Sequence, residues 1–324
     1  MNSFDGMSVL VTGADGFVAS HLCEYLVNRN AKVTALIRRN SGGIFKNINE
    51  IKDKILVKWG DTQDLSIVME ASKKHDIIYH LAAQSHVGHS IYNPYETVVN
   101  DVISTLNILE AGRKNDVKKI IHAGSSEIYG DPKYVPIDEK HPLQPRSPYA
   151  AAKGAAENLL ESYYHTYGLP VIESRFFNIY GPNQGLDQAI PKFILQCLNN
   201  KKITIYGDGM QTRDYTFVED AVHAYGLLGM KKGLEGKVIN FGTGKEITIK
   251  DLAKLILKFT KSKSKLHFSK KLRTGETPRL MCEPKFAKSV LGWSTKTDIT
   301  LGLKKTIEYF KGKEHLVTNL PYML

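Results

Sequence analysis

Met7-Ser-Val-Leu-Val-Thr-Gly-Ala-Asp-Gly-Phe-Val-Ala-Ser-His-Leu22 joins an apolar run of strand length to a glycine turn and then to a helical pattern that reaches Val27. Gly13, Gly16 and Ala19 are small residues where a strand becomes a helix. There the backbone can approach a pyrophosphate, and helix N-terminal amides favour its charge. Outward from this turn, residues 32–37, 55–57, 77–81, 119–123 and 171–175 read as strands. Helices are predicted over 21–27, 64–74, 101–114 and 148–167. Such alternation predicts an α/β fold with a doubly wound parallel sheet, whose ligands sit at the carboxyl ends of the strands. After Gly181-Pro182 the rhythm loosens, with Pro, Gly and Asn at 182–185 and 199–209, and a smaller C-terminal lobe is expected. The division expected is 1–180 with 212–245 for the dinucleotide, and 181–211 with 246–324 for the substrate.

The chain has 324 residues, 42% of them apolar and 24% charged, a globular composition that excludes disorder. It shows no basic n-region, no apolar h-region and no run of about 18 apolar residues, so a soluble, unsecreted, cytoplasmic protein with no membrane contact is expected. Cys23, Cys197 and Cys282 form neither a disulfide framework nor a CxxC metal site. His21, His80, His86 and His89 do not share a metal spacing on one element, and no metal is implied. Charge is uneven: residues 1–180 carry 19 basic against 20 acidic groups, and 181–324 carry 25 against 13. Within 250–288, Lys250, Lys254, Lys258 and Lys261 fall at helical spacing, which reads as a solvated face. No nucleic-acid partner is expected.

Two further patterns carry chemistry. Where dinucleotide enzymes usually place an acidic residue at the end of the second strand, this chain has Leu36-Ile37-Arg38-Arg39. Guanidiniums in place of a carboxylate suit a 2′-phosphate, so NADP is preferred, with NAD as the alternative. Ser147-Pro148 is a helix cap followed by proline at the first helical position, which puts Tyr149 and Lys153 on one face of the first turns. A phenol is a poor base at neutral pH, but an ammonium held nearby lowers its pKa, and the pair can then take a hydroxyl proton while hydride leaves the same carbon.

With Thr12-Gly-Ala-Asp-Gly-Phe-Val-Ala19, His80-Leu-Ala-Ala83, Ser125-Ser-Glu-Ile-Tyr-Gly130, Tyr149-Ala-Ala-Ala-Lys153, Phe177-Asn-Ile-Tyr-Gly-Pro182 and Gln211-Thr-Arg-Asp214, the chain resembles the extended short-chain dehydrogenase/reductase family of nucleotide-sugar epimerases and dehydratases. The resemblance covers nearly the whole chain and implies a Rossmann-type sheet. It also implies that Tyr149 and Lys153 oxidise C4 of a nucleotide-linked hexose and that Ser125 holds the sugar 4-oxygen. The implied cofactor residues are Gly13, Asp15, Gly16, Phe17, Val18, Arg38, Arg39, Asp61, Leu81, Ala82 and Ala83, together with Tyr149 and Lys153. Substrate contacts are implied for Gln84, Ser85, His86, Ser126, Asn178, Arg213 and Arg273.

The motifs are most similar to those of GDP-mannose and dTDP-glucose 4,6-dehydratases, which place a carboxylate for the C5 proton where Glu127 stands. The segment Gln84-Ser85-His86-Val87 points the same way. Ser125 stands where dehydratases usually have Thr, Ser126 where some carry an acidic residue, and Thr274 where a proline is usual. A 4-epimerase, a 4-keto-sugar reductase and a UDP-glucuronate decarboxylase therefore remain alternatives. Helices 101–114 and 148–167 are expected to expose Leu106, Leu109, Leu159 and Tyr163, and in the family such helices pair as a four-helix bundle, so a homodimer is expected.

Overall fold

The computed structural model describes residues 4–38, 47–270, 275 and 277–319. Arg39 and Arg273, two of the expected contacts, and Thr274 lie outside the described residues. Seven strands form one parallel sheet: β1 (Ser8–Thr12), β2 (Lys32–Ile37), β3 (Leu56–Trp59), β4 (Ile77–His80), β5 (Lys119–Ala123), β6 (Val171–Phe176) and β7 (Val238–Phe241). Their order is β7-β6-β5-β4-β1-β2-β3. The order reverses between β1 and β4, which opens a crevice at the carboxyl edge there. The inner strands β1, β4, β5 and β6 are buried on both faces and therefore read as near-continuous apolar runs, Ile120-Ile121 and Ile77-Ile78-Tyr79 among them.

Helix α1 (Phe17–Val27) covers one face. Across the other run α2 (Leu65–Ala71), α3 (Val87–Tyr92), α4 (Pro94–Val98), α5 (Ser104–Lys114) and α6 (Pro148–Tyr167). Leu10, Ile78, Ile120 and Val171 meet Val68, Ile108 and Leu160 in the core on the second face. The hydroxyl of Ser147 accepts the Ala150 N–H at 3.1 Å, Pro148 occupies the first turn, and Gly168 (φ 66°) ends α6 in the left-handed conformation.

The helix expected over 101–114 begins earlier and is interrupted: α4 runs into a single π-turn (Val99–Ile103) before α5 resumes. The core-facing side of α5 holds Ile108, Leu109 and Ala111. Leu109, expected outside, is fully buried, while Leu106, Leu159 and Tyr163 are half-buried.

One row of polar side chains crosses this apolar sheet at its carboxyl edge. The register aligns Thr12 with His80, His80 with His122, and His122 with Glu173. All four are at most 3% exposed. The Thr12 hydroxyl lies 2.8 Å from His80 Nδ1, Thr105 Oγ1 stands between the two imidazoles, and His122 Nδ1 is 2.6 Å from Glu173 Oε2. Burial lowers both histidines' pKa values and pushes the Glu173 carboxyl up to about 8, so the His122–Glu173 pair is a neutral hydrogen bond.

After β6 the chain builds α7 (Ala189–Leu198), α8 (Val218–Met230), α9 (Ile249–Thr260), α10 (Lys285–Leu291) and α11 (Ile299–Phe310) with short strand pairs. Helix α8 packs on α1 against the main sheet, and β7 joins that sheet's edge beside β6. Asp214 ties this region together: its carboxylate accepts the N–H groups of Thr243, Gly244 and Cys282. Lys250, Lys254 and Lys258 lie on α9, whereas Lys261 is its left-handed C-cap.

Candidate active site

The carboxyl ends of β1, β4, β5 and β6 form the floor of a cleft of about 1240 Å³. Every described residue expected to touch cofactor or substrate lines it: Gly13, Asp15, Gly16, Phe17 and Val18 on the first turn; Arg38 and Asp61 after β2 and β3; Leu81 through His86 after β4; Ser125, Ser126 and Glu127 after β5; Tyr149 and Lys153 on α6; and Asn178 and Arg213 opposite.

The first turn fits a dinucleotide. Gly13 has φ 64°, and a Cβ there would stand 2.9 Å from Ala82 Cα. Gly16 caps α1 without a side-chain acceptor, so the helix's leading amides remain presented to the cleft. Thr12 fixes the facing loop by accepting the Ala82 N–H at 3.1 Å. Arg38 lies at the far end of the cleft, 3.4 Å from Asn100 Oδ1 and 3.9 Å from Asp61 Oδ2.

The chemical end lies where α6 meets the ends of β4 and β5. Tyr149 is 8% exposed and hydrogen-bonds Ser125, whose hydroxyl oxygen also accepts the Glu127 N–H at 3.2 Å. Glu127 is half-buried on a 3-10 turn (Ser126–Tyr129), and its charge is felt at Tyr149. Lys153 Nζ donates to the Ala123 carbonyl at 2.9 Å and stands 4.0 Å from Asp101 Oδ2.

One expectation is corrected. A lowered Tyr149 pKa was expected from Lys153, yet burial pushes this phenol above its ordinary value, helped by the charges of Asp101 and Glu127 and opposed by the Ser125 hydrogen bond. The lysine's charge is directed at a carbonyl and a carboxylate. On the substrate side, Asn178 Oδ1 is buried without a hydrogen-bond partner, and His86 Nε2 faces Asp187 Oδ2 at 3.4 Å.

Asp101, His122 and Glu173 were not singled out from the sequence. Each sits inside a helix or strand pattern that gives no sign of which charged group faces inward. Among the described residues no group of three or more metal-ligating side chains occurs, and no helix is long and apolar enough to cross a membrane.

The model of the family described as GDP-mannose 4,6 dehydratase matches residues 10–306. This chain belongs to that family. As a GDP-mannose 4,6 dehydratase family member it is 35% identical over 318 residues to human dTDP-D-glucose 4,6-dehydratase, covering 95% of this chain and 91% of the relative. The structure of a dTDP-glucose 4,6-dehydratase from Streptomyces venezuelae with NAD bound superposes with a TM-score of 0.92 at 26% identity, covering 97% of this chain and 100% of that one. A UDP-glucose 4-epimerase from Thermotoga maritima with UDP-glucose gives 0.89 at 32% identity, covering 95% and 99%. The family member is thus a nucleotide-sugar enzyme of the dehydratase and epimerase group, on an α/β Rossmann-type fold that takes a nicotinamide dinucleotide.

Proposed function

We infer that this enzyme is a nucleotide-sugar 4,6-dehydratase, converting a nucleoside-diphosphate hexose to the 4-keto-6-deoxy sugar. The observation that carries the reading is Glu127: a half-buried carboxylate on the turn beginning at Ser125, in the same cleft as Tyr149. A nicotinamide cofactor, when bound, supplies the acceptor of hydride from C4 and its later donor to C6. Ser125 orients the 4-oxygen, Lys153 stabilises the Tyr149 phenolate, and that phenolate takes the hydroxyl proton. The 4-keto group acidifies C5–H; Glu127 takes that proton while the C6 hydroxyl leaves with a solvent proton as water, and Glu127 gives its proton back to C5 as C6 is reduced.

Gln84, Ser85, His86, Ser126 and Asn178 are assigned to the sugar, and Arg213 and Arg273 to the diphosphate, which a guanidinium can bind through two parallel hydrogen bonds. Arg38 and Arg39 are assigned to a 2′-phosphate, making NADP the preferred cofactor and NAD the alternative. In this reading residues 1–180 with 212–245 hold the dinucleotide and 181–211 with 246–324 hold the nucleotide sugar. The enzyme works in the cytoplasm as a homodimer through residues 101–114 and 148–167.

The second reading is a 4-epimerase, favoured by Ser125 in place of the dehydratases' usual Thr. Mass spectrometry decides between the two, using protein without added cofactor incubated in turn with GDP-mannose, UDP-GlcNAc, UDP-glucose, dTDP-glucose and GDP-GlcNAc. Loss of one water from any of them establishes the dehydratase. A product of unchanged mass and altered retention establishes the epimerase and leaves Glu127 a binding group. Glu127→Gln is expected to keep C4 oxidation and stop water loss.

A further inference from the structure

Asp101 stands at the middle of the π-turn between α4 and α5, its side chain wholly buried. Its Oδ1 accepts the Gln84 N–H at 2.7 Å, and its backbone carbonyl accepts the Thr105 hydroxyl at 2.6 Å. Oδ2 has no hydrogen-bond partner and points toward Lys153 Nζ, 4.0 Å away. A buried carboxylate oxygen in that state has only the ammonium's charge to compensate it. The π-turn is what delivers it there, since the extra residue per turn brings Asp101 under the base of α6.

We propose that Asp101 is a positioning residue of the catalytic pair: its carboxylate holds Lys153 in place, takes up part of the ammonium's charge, and through the Gln84 amide links that charge to the segment entering the sugar side of the cleft. This rests on Tyr149 and Lys153 acting at C4, the step that dehydration and epimerisation share. The groups facing the pair from neighbouring elements are His80 on β4, His122 on β5, Glu173 on β6, Tyr225 on α8 and Glu127 on its 3-10 turn. The two histidines and Glu173 lie in the neutral row beneath Lys153, whereas Asp101 is the carboxyl that stands 4.0 Å from its ammonium, where burial raises the Asp101 pKa and the Lys153 charge and the Gln84 N–H oppose that rise.

Asp101→Asn keeps the Oδ1 acceptor for Gln84 and removes the charge. Lys153 then acts on Tyr149 undivided, and the pH at which Tyr149 half-ionises falls by about one unit, as expected for a charge change at this range. The readout is the ring-carbon NMR signal of Tyr149 in NADP-loaded protein carrying ζ-13C tyrosine, assigned by its loss in Tyr149→Phe. The acid limb of the single-turnover C4 oxidation rate moves by the same amount.

An unshifted Tyr149 midpoint in folded Asp101→Asn overturns the proposal. A shifted midpoint in a protein that releases no water upholds it while sinking the dehydratase reading. Lys153→Met tests the pair without altering Asp101. The carboxyl, stripped of its counter-charge, takes up a proton at neutral pH, seen as a carboxylic-acid infrared band that is missing from Lys153→Met/Asp101→Asn. Absence of that band from Lys153→Met also overturns the proposal.

Discussion

Replacing Glu173 with Gln removes the titratable carboxyl from the polar row beneath the cleft and leaves its shape intact. The Glu173 carboxyl is buried, 2.6 Å from His122 Nδ1, and its pKa is raised from 4.5 to about 8 by burial, against the opposing charges of Arg175 and Lys153. Below the unfolded value the group is protonated in both states and its ionisation costs folding nothing. Between 4.5 and about 8 the unfolded chain has released the proton while the folded chain retains it, so stability falls as pH rises, by about 1.4 kcal/mol per unit. From about pH 5 to about pH 7.5 the loss reaches about 3 kcal/mol.

Glutamine is neutral throughout, and its amide N–H can donate to His122 Nδ1 as the protonated carboxyl does. Urea unfolding at a series of pH values is therefore expected to show the Glu173→Gln variant gaining about 3 kcal/mol on the parent across that window. Parallel stability curves for the two proteins would refute the neutral-pair assignment and require an ionised His122–Glu173 pair instead.

Gly124→Ala places a Cβ 1.7 Å from Glu173 Oε1, and calorimetry is expected to show a loss of more than about 2 kcal/mol, largely recovered when Glu173→Ala removes the obstructing oxygen. Gly13→Ala meets both a positive φ and a contact of 2.9 Å with Ala82 Cα, so titration calorimetry should show dinucleotide affinity reduced at least about tenfold. Tyr149→Phe removes the proton acceptor and is expected to slow C4 oxidation by about 10²–10⁴-fold with little change in KM, followed by reduced-nicotinamide absorbance. Arg38→Gln should weaken NADP by about tenfold and leave NAD binding unchanged, as measured by competition between the two.

The architecture was legible because its signals are local. The glycine turn after β1, the Ser147-Pro148 start of α6 and the apolar runs of β2, β5 and β6 each announce themselves within a few residues, and β2, β5 and α6 fall on the expected boundaries. Bringing the motifs together needed only the rule that strand carboxyl ends converge, and all described candidates do line one cleft.

What was hidden depends on contacts between distant segments. Glu173 and Arg175 occur in a strand whose six residues are all buried, and nothing near them in the chain indicates that His122 and Glu157 meet them. Asp101 was not singled out because a π-turn, which spacing does not announce, carries it; Leu109, expected outside, packs with Ile108 and Ala111 against the sheet. The acidity of Tyr149 depends on where Lys153 points, which spacing on α6 does not determine.

Strand β7 has a consequence for how this enzyme can be recombined. It pairs with β6 in parallel, Asn240 beside Arg175, although some sixty residues separate them in the chain. Asn240 Oδ1 accepts the Tyr129 hydroxyl, which in turn accepts from Arg175. Cutting the chain once, after Gly181, would expose the β6 edge and strip Arg175 of this support. Exchanging substrate-side segments between relatives therefore calls for at least two junctions, one on each side of the 212–245 stretch. A graft designed that way carries over the sheet edge intact while changing the wall that faces the sugar.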